Sequence, residues 1–135
     1  MSPKITNVLV VDDNTAVRQY LVAALATSGF HSIQARDGVE ALRLIDASGE
    51  VIDILLLDVV MPRLNGKELA RIVLSAHPAI KIIFMSGYPE EISDDHGLPA
   101  KNIRFLQKPF TTADLVTLIR AVVNQDNDDP EVLDR

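Results

Sequence analysis

The chain of 135 residues contains no cysteine. That absence excludes a disulfide framework, a thiolate metal site and a cysteine nucleophile, and it accords with a reducing cytosol. Positive charge is scarce: 13 Lys and Arg stand against 19 Asp and Glu, a formal net charge of −6. Direct binding to nucleic acid needs a basic surface that displaces counterions, so that class is set aside. Long apolar runs are also missing, and none approaches the ~18 residues of a membrane span. Met1-Ser2-Pro3-Lys4 leads into the first apolar stretch without the hydrophobic core of a signal peptide. The expectation is a cytoplasmic protein without membrane contact. What remains is 47% apolar and 24% charged residues, ordinary for one globular domain.

The apolar residues fall into short runs that end in polar groups. Asn7-Val8-Leu9-Val10-Val11 stops at Asp12-Asp13-Asn14, Ile54-Leu55-Leu56-Leu57 runs into Asp58, and Lys81-Ile82-Ile83-Phe84-Met85 ends at Ser86-Gly87. Unbroken runs of this length read as strands buried on both faces, the kind found inside parallel sheets. Residues 31–36 are more polar, and 103–107 alternate, as edge strands do. Between the runs the period becomes helical. Val17, Leu21, Ala24 and Leu25 share one face, as do Leu69, Ile72, Val73 and Ala76, and Leu115, Leu118, Ile119 and Val122. Asn14 is placed to cap the first helix, Gly29 to end it, and Thr111 with Asp114 to form a capping box. Asp37-Gly38 reads as a turn before a second helix.

Strands alternating with helices predict an α/β fold, a doubly wound five-stranded parallel sheet in the order 2-1-3-4-5. Residues 1–124 would form the domain and 125–135 a solvated acidic tail. The stretch 88–102, rich in Pro and Gly, predicts an irregular fourth helix.

In such sheets ligands bind beyond the carboxyl ends of the strands where strand order reverses. Four strand ends deliver Asp12-Asp13, Asp58, Ser86 and Lys108 to one rim. Each like-charged contact among the carboxylates costs about 4 kcal/mol at ~4 Å and an effective dielectric near 20. The cluster therefore calls for cations: Lys108 is one, and Mg²⁺ (or Mn²⁺), which takes a few carboxylates and keeps its waters, is the other. That set suits phosphoryl transfer to a carboxylate. An isolated Asp at a strand end commonly does no more than polarise it; the convergence favours chemistry. His31, His77 and His96 have no partner at metal-ligand spacing and read as surface or turn residues.

With Asp12-Asp13, Leu57-Asp58, Met61-Pro62, Asn65-Gly66, Ser86-Gly87 and Lys108-Pro109-Phe110 in this order, residues 5–124 resemble the receiver domains of bacterial two-component response regulators. The resemblance implies phosphorylation of Asp58 by the phosphohistidine of a sensor histidine kinase or histidine phosphotransfer protein. It implies a metal ion held by Asp13, Asp58 and the backbone carbonyl of Val60, with Asp12 acting through water. A cis peptide bond between Lys108 and Pro109 is implied as well, and a switch formed by Ser86 and the aromatic Phe105. Phe105 lacks the hydroxyl of the tyrosine common at that position. The stretches Ser86-Gly87-Tyr88-Pro89 and Phe105-Leu106-Gln107-Lys108-Pro109-Phe110 are similar to receivers attached to hybrid sensor kinases. The expected role is a phosphorelay component, regulatory and not an enzyme in its own right. Its signal would leave by protein contact, with a homodimer open and the downstream partner unspecified.

Three other readings compete. A phosphatase working through an aspartyl phosphate commonly has a second acid two residues after the nucleophile, where this chain has Val60. A flavodoxin-like cofactor binder needs an uncharged phosphate loop after the first strand, where Asp12-Asp13 would repel phosphate. A degenerate receiver would bind partners without phosphorylation.

Overall fold

In the computed structural model of the chain, residues 6–47, 52–61, 65–87 and 102–127 are described. The stretch 88–101 with its expected irregular helix, Pro62 of the Met61-Pro62 pair and the tail from residue 128 lie outside them.

The apolar runs become β1 (Asn7–Val11), β3 (Ile54–Asp58) and β4 (Lys81–Ser86). The more polar segments become β2 (His31–Ala35) and β5 (Ile103–Gln107). All neighbours pair in parallel, in the order β2-β1-β3-β4-β5. The two polar strands take the edges because an edge strand is covered on fewer sides, and β2 accordingly has an exposed first residue. Helices α1 (Thr15–Thr27), α2 (Gly38–Ala47) and α3 (Gly66–Ala76) fill the first three crossovers, and α4 (Thr112–Asn127) follows β5.

Side chains alternate across a strand, so each buried run supplies two cores. Leu9, Val11, Leu55, Leu57, Ile82 and Phe84 pack with Ala41 and Ile45 of α2 and Leu69, Ala70 and Val73 of α3. Val8, Val10, Ile54, Leu56, Ile83 and Met85 pack with Leu21 and Leu25 of α1 and Leu115, Ile119 and Val122 of α4. With helices α2 and α3 on one face and α1 and α4 on the other, the carboxyl rim of the sheet is left as the place for chemistry.

Helix ends follow local polar chemistry. Asn14 Oδ1 accepts the Val17 N–H at 3.0 Å. Gly29, at φ 89°, stops α1: its N–H donates to Ala26 O, while the Phe30 N–H reaches Leu25 O. This double closure needs a left-handed residue, which glycine adopts without strain. Thr111 Oγ1 accepts from Asp114 N and Asp114 Oδ2 accepts from Thr111 N, both at 3.0 Å, a reciprocal box with Asp in place of the usual Glu.

Three details differ from the sequence reading, the first being that Ile72 and Ala76 of the expected α3 face are exposed while Ala70 and Leu74 are buried beside Leu69 and Val73. Asp37-Gly38 is the start of α2 itself, with Asp37 Oδ1 accepting the Glu40 N–H at 2.8 Å. Glu40 in turn accepts from Arg36 N at 2.8 Å. The Asp-Gly pair resembles a turn, but the Glu three residues on converts it into a helix cap. At the other end, α4 continues to Asn127, three residues past the expected boundary, because no Gly or Pro intervenes before Pro130.

Candidate functional site

Strand order reverses between β1 and β3, which pair directly while their following helices lie on opposite faces. At this switch point, Asp58 closes β3 and lies one strand from Asp12, the first residue after β1. Backbone bonds fix the neighbouring loops: Val59 N donates to Met85 O at 3.0 Å, and Lys108 N donates to Ser86 O at 2.7 Å. Lys108 is thereby carried to the rim from the far edge of the sheet. Its peptide bond to Pro109 is cis.

Lys108 Nζ donates to Asp58 Oδ2 at 2.7 Å. The other Asp58 oxygen, Oδ1, accepts the Val60 N–H at 3.0 Å. Asp58 remains partly open to solvent, with 17% of its side chain exposed, so a reactant can reach it. Ser86 is fully buried at the end of β4. Asp13 and Val60 are exposed at the same rim.

Asp12 is the unusual group. It is 2% exposed, its Oδ1 accepts the Asn14 N–H at 2.9 Å, and its Oδ2 is buried without a hydrogen-bond partner. Burial pushes its carboxyl above the ordinary aspartate value; the Asn14 N–H and Lys108 pull it back, and the charges of Asp58 and Asp13 add to the rise. An orphaned carboxylate oxygen costs about 1–3 kcal/mol or more. An oxygen left open in this way is where a water or an ion would be met.

The donor set fits a hard divalent cation. Three carboxylates with one lysine leave a formal charge of −2 (three negatives, one positive), with Lys108 in direct contact with Asp58 at 2.7 Å. Among the described residues no group of three or more acidic or histidine side chains stands close enough to hold a metal ion, so there is no preformed cage. A cation that keeps several waters and takes a backbone carbonyl needs no such cage.

Phe105 of β5 is partly buried against the first core, its ring stacked on Phe84 with centroids 5.5 Å apart and planes at 22°. Sequence periodicity gave no sign of that stack, since the two rings meet only across the β4–β5 register. Gly66 was legible as a motif residue, but its reason is structural: a Cβ there would stand 2.4 Å from Asp58 O. Of the three histidines, His31 is hydrogen-bonded through Nδ1 to Asn7 Oδ1 at the opposite end of the sheet, and His77 closes α3. His96 lies outside the described residues.

With this geometry in view, comparisons with known proteins agree. Residues 8–120 match the response regulator receiver domain. The chain is 40% identical over 119 residues to the sensor kinase CckA of Brucella abortus, covering 87% of this chain and 12% of that protein. It is 36% identical over 118 residues to the response regulator MprA of Mycobacterium ulcerans, covering 87% of this chain and 50% of that one. The chain thus spans half or less of these curated relatives. Among solved structures, a receiver domain protein of Clostridium thermocellum superposes with a TM-score of 0.79 at 25% identity, over 91% of this chain and 98% of that one. The response regulator TrrA of Thermotoga maritima, solved with Mg²⁺ and BeF, gives 0.76 at 27% identity, over 87% and 99%. The chain belongs to the response regulator receiver domain family of two-component signalling.

Proposed function

We propose that Asp58 is the phosphoacceptor, taking a phosphoryl group from the phosphohistidine of a sensor histidine kinase or histidine phosphotransfer protein in the cytoplasm. The observation that carries this reading is the 2.7 Å contact of Lys108 with a reachable Asp58 at the switch point. One Asp58 oxygen forms a bond to phosphorus as the donor's P–N bond breaks. The bonding pair leaves on the imidazole nitrogen, which takes up a proton. Lys108 steadies the attacking carboxylate and then a phosphoryl oxygen, and Ser86 donates its hydroxyl hydrogen to another.

A divalent cation, Mg²⁺ or Mn²⁺, would be held by Asp13, Asp58 and the Val60 carbonyl, with Asp12 reached through water. When bound it neutralises phosphoryl charge. The orphaned Asp12 oxygen supports this assignment, as does the magnesium in the Thermotoga relative.

Hydrogen bonds to a charged group contribute roughly 1.5–3 kcal/mol each. Ser86 and Lys108 together would supply about 3–6 kcal/mol, against the ~5.5 kcal/mol that moves a two-state equilibrium from 1:99 to 99:1. Phosphorylation can therefore shift the domain strongly, and Phe105, paired in register with Phe84 on the strand that ends at Ser86, would carry the shift outward. The domain is read as regulatory, its output leaving by protein contact. The match to a sensor kinase suits a receiver that works within a hybrid kinase, and the matches to response regulators suit a receiver outside one.

Intact mass after incubation with acetyl phosphate and Mg²⁺ tests the assignment. The expected result is a gain of one phosphoryl group, lost in Asp58→Ala and in the presence of a chelator. A gain that survives in Asp58→Ala would overturn the acceptor assignment. No gain with acetyl phosphate or with candidate kinases would favour a receiver that binds partners without phosphorylation.

A further inference from the structure

We infer that Arg18 is a positioning residue for the acidic pair, resting on the metal reading given above. Arg18 stands one turn into α1, half-buried behind the loop that carries Asp12 and Asp13. Its Nη1 donates to the backbone carbonyl of Asp12 at 2.8 Å. Its Nε donates to Gln34 Oε1 on β2 at 3.3 Å, and its Nη2 to Thr15 Oγ1 at 3.4 Å. One planar fork therefore ties the loop to the neighbouring strand and to the first turn of the helix.

Asp12 is consequently held on every side but one. Its N–H donates to Ala35 O at 3.2 Å, its carbonyl accepts from Arg18, and its Oδ1 accepts from Asn14 N. Only Oδ2 has no partner. A carboxylate fixed at three points presents its fourth in one direction, which is what a cation site requires of the groups around it. Arg18 addresses the backbone and not the carboxylate, so it fixes position without occupying the oxygen that would meet the cation's water.

The sign of the effect separates this role from plain electrostatics. Arg18 is a positive charge behind a cation site, and removing it relieves repulsion. Charge alone therefore predicts that Arg18→Met binds Mg²⁺ more tightly, whereas loss of positioning predicts weaker binding. A merely structural arginine would lower thermal stability and leave the affinity alone.

The test is calorimetric titration of MgCl₂ into the metal-free 135-residue chain. Arg18→Met is expected to weaken binding roughly 10-fold, the low end for outer groups that orient metal ligands. Arg18→Lys should fall between, since an ammonium can reach the Asp12 carbonyl but lacks the fork that also holds Gln34. Gln34→Ala removes the anchor without changing charge, is exposed at the sheet edge, and should show a smaller loss of the same sign even if Arg18→Met fails to fold. Unchanged or tighter binding in Arg18→Met, or in Gln34→Ala should the former not fold, overturns the proposal. Absence of Mg²⁺ uptake by the wild-type protein would remove both this proposal and the metal reading beneath it; uptake that the variants leave unchanged would remove this one alone.

Discussion

Gly66→Ala is expected to unfold roughly 2–9 °C below the wild-type protein. Gly66 opens α3, and its N–H donates to Val59 O at 3.0 Å. A Cβ at that position would stand 2.4 Å from Asp58 O, 3.0 Å from Val59 Cα and 3.1 Å from Val59 O. These are backbone atoms, so no flexible side chain can swing aside, and the α3 start or the Asp58 loop must move. Overpacking of this kind costs about 1–3 kcal/mol. Alanine favours a helix over glycine by at most ~1 kcal/mol, less at the first turn, so the clash wins. Unfolding entropy scales with chain length, and for 135 residues each kcal/mol corresponds to about 3–4 °C. The displaced loop carries Asp58, the proposed acceptor, so phosphoryl uptake from acetyl phosphate should fall as well. Gly87→Ala is the internal control. Among the described residues a Cβ there meets nothing within 4 Å, and the variant's melting temperature should stay within about 2 °C of wild type. Equal melting of both variants would show that close approach under Asp58 is not what Gly66 provides.

That glycine illustrates which features the sequence carried in the open. The three central strands were legible because buried parallel strands are continuous apolar runs, and their order followed from the polarity of the other two. Asp12, Asp58 and Lys108 were legible because each interrupts or follows a strand at the same end. The caps at Asn14 and Thr111 were legible from residue type alone. The cap at Asp37 was missed because Asp-Gly is also a turn pair, and only the reach of Glu40 back to Arg36 N tips it toward a helix. Arg18 was invisible as anything but a helix surface residue: its partners lie on two other elements, at Asp12 O and Gln34 Oε1, and no local pattern brings them together. The Phe84–Phe105 stack was hidden for the same reason, set by strand register and not by spacing along the chain. Local rules reach the elements and the rim residues. Contacts that depend on how two crossovers close do not announce themselves in sequence.

Asp12→Asn should reverse its rank against the wild-type protein when Mg²⁺ is added. Without metal, the wild type keeps a buried carboxylate oxygen that has no hydrogen-bond partner, beside the negative charges of Asp58 and Asp13. The amide removes the charge and retains an oxygen to accept the Asn14 N–H. Relief of about 1–2 kcal/mol is expected, or roughly 4–7 °C in melting temperature. With Mg²⁺ at a hundredfold its dissociation constant, the wild type gains about 2.7 kcal/mol by linkage, near 9 °C, and the variant much less. The two proteins should therefore exchange order between chelator and saturating metal. The pH dependence in chelator follows from the sign of the Asp12 shift. A carboxyl raised in the folded state opposes folding most above that raised pKa, and the opposition is lifted as pH falls through it toward the ordinary aspartate value near pH 4. The advantage of Asp12→Asn should thus be greatest at neutral pH and shrink on acidification. Melting curves at several pH values, with and without metal, check both signs. A variant less stable than wild type in chelator, or an advantage that grows in acid, would mean that the Asp12 oxygen is satisfied in solution and is not held open for a cation.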